Sequence, residues 1–234
     1  MILHRWDLPP TEARRLQEKL RADLILAWDN RPINFVGGVD VSFPAKNRAK
    51  AAIVVLTYTA LVPITSVTAQ APVQIPYIPG LLSFREAPVI LAAWDMLHEM
   101  LAGGARLPDV IFVDGQGIAH PRGFGLATHV GLWLQRPTIG VAKSRLYGRH
   151  SEPGAAKGEV APLTDQKDSN LLFGAVARTR ENVKPVYISP GNLIDVDMRV
   201  KLTLACATRY RLPEPTHWAH RVAGGAKLPV GEKP

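Results

Sequence analysis

Hydrophobic residues near the start of the chain recur at the spacing of an amphipathic helix. The predicted helix opens at Thr11, and its apolar positions are Ala13, Leu16, Leu20 and Leu24. From Phe35 the period changes to two residues, the period of a strand, so Asp40 and Phe43 point to opposite faces. The runs Ala51–Tyr58 and Leu61–Ala69 predict two more strands, joined by a connection that suits antiparallel neighbours. Three strands therefore precede the second helix.

Helices and strands alternate in the second half of the chain, which is typical of an α/β protein. Helical spacing runs from Phe84 to Leu101, and the unbroken apolar run Val110–Val113 predicts a strand covered on both faces. The later predicted elements are a helix opening at Pro121, strands at Thr138–Ala142, Leu171–Ala177 and Val186–Ser189, a helix capped by Asp195 or Asp197, and a short helix from Thr216. Gly148–Lys167 is predicted to be a long surface connection.

Length and composition favour a single globular domain. The chain has 234 residues, of which 47% are hydrophobic and 21% charged, close to the average of globular proteins. We predict one domain over residues 1–223 and a flexible basic tail over residues 224–234. One cysteine, Cys206, allows no internal disulfide, and the first seven residues lack the apolar core of a secretory signal. We therefore expect a cytoplasmic protein.

The charge balance suggests the kind of partner. The formal net charge is +8, from 28 Lys and Arg residues against 20 Asp and Glu residues. This excess suits a protein that binds the phosphate backbone of nucleic acid, although many basic proteins bind none. The most apolar stretch, Ala51–Val62, is shorter than the about 20 residues that a membrane-spanning helix needs. We predict a monomer that has nucleic acid as its partner and no membrane segment.

Two aspartates stand where a carboxylate is expected to have a function. Asp40 interrupts a Val- and Phe-rich strand, where an unpaired buried charge would be costly. Asp114 follows the strand Val110–Val113, at the edge where α/β sheets commonly form sites. If the two strands are neighbours, both carboxylates can hold one hard divalent cation, and oxygen ligands favour Mg²⁺ over Zn²⁺. The alternative is that each aspartate caps a turn or pairs with a nearby basic residue.

Glu86 has two interpretations of equal weight. Ser83 and Glu86 have the spacing of a helix capping box, which requires no catalysis. Pro88 would then fall just beyond the first turn and remove a helical hydrogen bond, so the helix could instead begin nearer Arg85–Ala87. In that case Glu86 would be available for catalysis.

Other residues could contact a phosphate or another ligand. His120 and Arg122 flank the proline at a predicted helix start, where an imidazole, a guanidinium and free N–H groups could meet an anion. Lys143, at a strand end, could do the same. The loop Gly115–Gly117 permits close approach of a ligand, but a short glycine loop is as often a plain turn. On its own, His220 is more typical of a surface or packing residue than of a catalytic one.

Several sequence strings, in their order along the chain, resemble the endonuclease V family. They are Gly38–Val41, Pro76–Gly80, Leu82–Glu86, Val113–Arg122, Ile139–Lys143 and Tyr210–Thr216. The match runs from about Phe35 to His220, which is most of the chain. The resemblance implies a ribonuclease H-like fold, in which three antiparallel strands are extended by parallel strands and helices cover both faces.

The resemblance also implies an activity and assigns residues to it. In this family a metal ion, Mg²⁺ or Mn²⁺, activates water to cut the second phosphodiester bond 3′ to a deoxyinosine, which leaves a 3′ hydroxyl and a 5′ phosphate. Asp40, Asp114 and Glu86 would form the acidic metal site. His220 would lie near the metal, and Lys143 near the scissile phosphate.

A loop and a pocket would recognise the lesion. A deaminated, mispaired base is the cheapest one to extrude from the stack, and Tyr77 would fill the gap that it leaves. The nucleic-acid contacts implied by the resemblance are Pro76, Tyr77, Ile78, Pro79, Leu82, Arg85, Gly115, Gly117, His120 and Arg122. The competing hypotheses are a related metal nuclease that acts on branched DNA or inosine-containing RNA, and a protein that binds damaged nucleic acid without cutting it.

Overall fold

One eight-stranded sheet carries the fold of residues 4–231, the part of the chain that the computed structural model describes. Its strands are β1 Phe35–Ala45, β2 Arg48–Thr57, β3 Pro63–Pro72, β4 Val110–Val113, β5 Thr138–Ala142, β6 Val160–Thr164, β7 Leu172–Ala177 and β8 Val186–Pro190. The helices are α1 Pro10–Leu20, α2 Leu82–Glu99, α3 Leu126–Leu134, α4 Val196–Ala205 and α5 Glu214–Ala223, with 3₁₀ turns at Arg21–Asp23 and Met100–Gly103.

The sheet is mixed, in the order β3-β2-β1-β4-β5-β8-β7-β6. Strands β1, β2 and β3 are antiparallel neighbours, and β4 and β5 continue the sheet in parallel from β1. The mixed α/β fold is therefore confirmed. The parallel extension ends after two strands, because β8, β7 and β6 are antiparallel.

Apolar layers cover both faces of the sheet. In β4, Val110 and Phe112 belong to the core beneath α4 and α5, whereas Ile111 and Val113 belong to the core beneath α2 and α3. This alternation confirms that β4 is covered on both sides. The apolar stretch at residues 51–56 is the fully buried part of β2. Among the described residues, no helix combines the length and the hydropathy needed to cross a membrane.

Two predictions for the second half of the chain are wrong. The expected surface connection at residues 148–167 contains the edge strand β6, in which only Ala161 and Leu163 point into the core. Such a short pattern, interrupted by Pro162, gives little sequence signal. The helix expected to open at Pro121 begins instead at Leu126, because Gly123 has a positive φ of 62° that interrupts helical geometry.

The start of α2 corrects both interpretations of its N-terminus. The helix begins at Leu82 with no side-chain cap, and Ser83 Oγ lies 2.9 Å from His129 Nδ1. The capping box is therefore wrong. The later start near Arg85–Ala87 is also wrong, because α2 accommodates Pro88 in its second turn.

The other helix starts are closer to prediction. Asp195 caps α4, since its side chain accepts hydrogen bonds from the N–H groups of Asp197 and Met198. Helix α5 begins at Glu214, two residues before the predicted Thr216.

Residues 224–231, the first part of the predicted tail, contact the folded chain. Leu228 packs against the core beneath α5, and the Gly231 N–H donates to the Pro63 carbonyl at 2.9 Å. Glu232–Pro234 lie outside the described residues, as do Met1–Leu3 at the start of the segment considered for a secretory signal.

Candidate active site

The parallel pairing of β1 with β4 brings Asp40 and Asp114 together. Val39 pairs with Val113, and the Asp114 N–H donates to the Val39 carbonyl at 3.1 Å. One carboxylate oxygen from each aspartate and a ring nitrogen of His220 all lie within 4.8 Å of one another. The aspartate side chains are only 10% and 11% exposed. The two strands are therefore neighbours, which was the condition for a shared cation.

Each aspartate already has a basic partner. His220 Nδ1 lies 2.7 Å from Asp40 Oδ2, and Lys143 Nζ donates to Asp114 Oδ2 at 2.5 Å. Both aspartates therefore pair with a basic residue, as the alternative interpretation of the sequence predicted. They do not exclude a cation, because the two pairs form one cluster and each carboxylate keeps a second oxygen.

A close approach of α5 to β1 positions His220. At Gly38, two residues before Asp40, an added Cβ would overlap the carbonyl group of Pro215 in the first turn of α5. The glycine therefore allows α5 to lie directly on the strand. His220, in the last turn of the same helix, then reaches Asp40.

Glu86 lies near the aspartates on the buried side of α2. Glu86 is only 8% exposed. Burial raises the pKa of its carboxyl group to about 8, and the negative charges of Asp40 and Asp114 contribute to the same shift. The group of three whose ligand atoms lie within 4.8 Å of one another does not include Glu86. The structure thus brings Glu86 into electrostatic contact with the cluster but not into its closest part.

The electrostatics of the cluster suit a cation. Burial raises the pKa of Asp40, and the charge of Asp114 raises it further, while the hydrogen bond from His220 opposes both effects. Buried carboxylates that repel one another are stabilised when a divalent cation lies between them. The carboxylate oxygens of Asp40 and Asp114 are suitable ligands for a hard divalent ion, and His220 lies beside them.

A cavity of about 320 Å³ opens beside Asp114. This volume lies within the range of small-molecule pockets. Tyr77, Leu82, Gly115 and His120, four of the residues predicted to contact nucleic acid, line it. The loops that follow β4 and β5 contribute further lining residues, among them Gln116, Lys143, Ser144, Arg145 and Leu146.

The two glycines of the loop after β4 have different surroundings. At Gly117 an added Cβ would overlap the carbonyl of Pro190, so this glycine allows the loop to pack on β8. Gly117 is not among the residues that line the cavity, whereas Gly115 is. The loop therefore fits both interpretations in part, because Gly115 borders a space that a ligand can approach and Gly117 serves the packing of the turn.

His120 and Arg122 hold the loop that carries Tyr77. Arg122 Nη2 donates to the Gly80 carbonyl at 2.6 Å, and His120 Nε2 lies 3.1 Å from the same oxygen. His120 is only 3% exposed, and burial, reinforced by the charge of Arg122, lowers its pKa to about 4. A neutral His120 is thus a buried support for Gly80.

The loop itself presents one aromatic side chain to solvent. Tyr77 is 64% exposed, while Ile78 packs on the apolar cluster around Phe84. Pro76 and Pro79 on either side are exposed and stiffen the backbone. Arg85, in the first turns of α2, lies over the ring of Phe43 with 4.4 Å between its Cζ and the ring centroid.

Two glutamines at this site were not predicted from the sequence. Gln17 Nε2 donates to the carbonyls of Gly80 and Phe124, and Gln17 Oε1 accepts from Arg122 Nε at 2.7 Å. The sequence signal for Gln17 was its place four positions after Ala13, which puts a polar side chain on the buried face of α1. Gln116 Nε2 donates to the Ser144 carbonyl at 2.9 Å, and its Oε1 is buried without a partner among the described residues.

Comparison with known proteins places the chain in a family. The family model for endonuclease V matches residues 15–221. Endonuclease V of Kosmotoga olearia is 44% identical over 218 residues, which are 93% of this chain and 92% of that protein.

Solved structures agree with this match. The crystal structure of endonuclease V from Streptomyces avermitilis has a TM-score of 0.84 and 40% identity, covering 94% of this chain and 93% of that one. Ciona intestinalis endonuclease V, solved with a 24mer DNA that contains an inosine followed by a ribo-adenosine, has a TM-score of 0.80 and 26% identity, covering 92% and 95%. From its sequence, its fold and the cluster around Asp40, the chain belongs to the endonuclease V family.

Proposed function

We propose that this protein is a DNA repair endonuclease that recognises deoxyinosine and hydrolyses the second phosphodiester bond 3′ to it, leaving a 3′ hydroxyl and a 5′ phosphate. The observation that carries the proposal is the cluster of Asp40, Asp114 and His220 beside a cavity of about 320 Å³ in a member of this family. The Ciona relative binds inosine-containing DNA, which supports the same substrate class here.

Asp40 and Asp114 are the proposed ligands of Mg²⁺, or of Mn²⁺ in its place, with Glu86 completing the acidic site. Oxygen donors and mutual repulsion between the carboxylates support a hard divalent cation at this position. When bound, the cation supplies Lewis-acid chemistry, which lowers the pKa of water and stabilises charge on the departing 3′ oxygen.

Lys143, Glu86 and His220 have separate proposed roles in the reaction. Lys143 Nζ, which donates to Asp114, can also donate to a non-bridging phosphate oxygen and so position the scissile group. Glu86 can hydrogen-bond the attacking water from the buried side. His220 fixes one oxygen of Asp40 through its Nδ1 and leaves the other oxygen for a ligand.

Recognition uses the loop of Tyr77 and the cavity behind it. The exposed ring of Tyr77 is proposed to fill the gap left by the extruded base. Leu82 and Gly115 line the cavity that would receive hypoxanthine. Gln17, His120 and Arg122 brace Gly80 at the end of the loop, so that the wedge is preorganised.

A nicking assay tests the proposed function. A labelled duplex with one inosine should be cut at the second bond 3′ to the inosine with Mg²⁺ and left intact with EDTA, and an adenine duplex should resist. Inosine RNA and branched DNA serve as competitors for the related-nuclease hypothesis. Retention of the inosine duplex without any metal-dependent nick would favour the non-cutting binder.

We also propose that the enzyme acts as a monomer in the cytoplasm. The only cysteine, Cys206, is buried and free, which suits a reducing compartment. Light scattering of the purified protein tests the monomeric state, and fractionation of cells tests the cytoplasmic location.

Tyr77→Ala is expected to lower discrimination between inosine and adenine duplexes by about tenfold, because one aromatic stacking contact contributes roughly 1–3 kcal/mol. The measurement is the ratio of kcat/KM for the two duplexes. Tyr77→Phe keeps the ring and should keep the ratio. Unchanged selectivity in the alanine variant would remove the wedge hypothesis.

A further inference from the structure

Tyr77 forms part of the walls of two separate cavities. One is the cavity beside Asp114, and the other is a more open groove of about 720 Å³. The groove is enclosed by the turn between β1 and β2, the segment after β3, and the first turns of α2. We call it the hairpin groove, and its polar lining residues are Lys46, Asn47, Gln74 and Arg85.

The lining of the hairpin groove has the chemistry of a nucleotide site. Lys46 and Arg85 supply two positive charges, and none of the lining residues carries a carboxylate. Cationic side chains contact phosphates, and amides such as those of Asn47 and Gln74 pair with base edges. Tyr77 offers an aromatic face for stacking. The Lys46, Asn47, Gln74 and Tyr77 side chains are exposed, so a ligand can reach them.

The walls of the groove are tied to the rest of the site. The Val73 N–H donates to the Asn47 carbonyl at 2.9 Å, which joins the segment after β3 to the hairpin turn. Arg85 stacks over Phe43, and its Nη1 lies 3.4 Å from the Ile75 carbonyl. The groove is therefore connected to β1, the strand that carries Asp40, and to α2, the helix that carries Glu86.

We propose that the hairpin groove binds a nucleotide of the strand opposite the lesion in duplex DNA. The inference rests on the proposed function, in which the first cavity takes the extruded base and Tyr77 enters the stack. Because Tyr77 lines both cavities, we place the lesion strand on one side of its inserted ring and the complementary strand on the other. Lys46 is the specificity determinant for duplex over single-stranded substrate, since a single strand has no nucleotide to place there.

Lys46→Ala separates this role from general attraction to phosphates. The matched control is Lys201→Ala, which removes the same charge from an exposed position on α4, a helix that contributes no residue to either cavity. Affinities for an inosine duplex and for the same inosine strand alone are measured by fluorescence anisotropy with EDTA present. Nicking of both substrates by both variants is measured with Mg²⁺.

Lys46→Ala should weaken duplex binding by about tenfold and reduce the slope of log K against log salt by about 1 for the duplex. Binding and nicking of the single strand should stay within about twofold of wild type. Lys201→Ala should leave the duplex-to-single-strand ratio unchanged.

Equal weakening of both substrates by Lys46→Ala, or no weakening of either, would overturn the inference. Failure of the proposed function would look different, because the wild-type protein would then nick neither inosine substrate. Gln74→Ala gives a second test: 2-aminopurine opposite the inosine should change its fluorescence on binding wild type and change it less with this variant. An equal change with both proteins would also contradict the assignment.

Discussion

Asp114→Asn is expected to lower kcat for nicking of inosine DNA by at least about 10³-fold, which corresponds to about 4 kcal/mol in the activation free energy. The substitution keeps the shape of the side chain and removes one of the two negative charges proposed to hold the cation. Asp40→Asn should have an effect of similar size. Most of the DNA affinity should survive, because contacts to phosphates supply much of it.

Single-turnover kinetics and anisotropy separate the two effects. Asp95→Asn is the matched control, because it neutralises an exposed aspartate on the outer side of α2 and should leave kcat unchanged. Mg²⁺ should also raise the Tm of wild type but not of the Asp114 variant. Near-normal turnover in either active-site variant would refute the metal assignment.

Without divalent cations, the protein is expected to lose stability as the pH rises from about 5.5 to 8. The pKa of Glu86 is about 8 in the folded chain and 4.5 for an exposed glutamate. Between these values the folded state keeps a proton that the unfolded state has lost, so the free energy of unfolding falls with pH. Below the lower value both states are protonated, and the stability contributed by the neutral carboxyl is fully present. The raised pKa of Asp40 acts in the same direction.

Glu86→Gln should remove most of this pH dependence, because the amide does not ionise. We expect wild type in EDTA to lose about 2 kcal/mol across this range, or about 4–8 °C in Tm, and the variant to lose clearly less. Calorimetric scans at several pH values measure the Tm and the free energy of unfolding of both proteins. Glu99→Gln, at the exposed end of α2, is the control and should behave as wild type. Identical slopes for Glu86→Gln and wild type would show that Glu86 is not the group responsible.

The central strands and the acidic residues could be predicted because their signals are local. The period of two around Asp40 and the apolar run before Asp114 depend only on which side chains a strand buries. Weak local signals led to errors elsewhere. Edge strand β6 has only two inward residues and contains a proline. The turn at Gly123 depends on a positive φ, which the pattern of side chains does not predict.

Roles that depend on contacts across the chain needed the tertiary structure. The sequence placed His120 and Arg122 at a helix start, whereas in the folded chain both hold the carbonyl of Gly80. Gln17 and Gln116 were missed because their partners lie far away in sequence. No spacing rule relates residues separated by 28 to 107 positions, since only the packing of the intervening elements decides which atoms meet.

By itself, the sequence determined which residues could carry the chemistry: carboxylates at Asp40, Glu86 and Asp114, an aromatic loop at Tyr77, and the motifs of a nuclease family. Only the tertiary structure decided that β1 and β4 are parallel neighbours in the register that brings Asp40 to Asp114. It also decided that α5 lies on Gly38 so that His220 reaches Asp40. The physical reason is that a residue's chemistry is local, whereas strand register and helix docking are set by burying the two apolar layers of the sheet together.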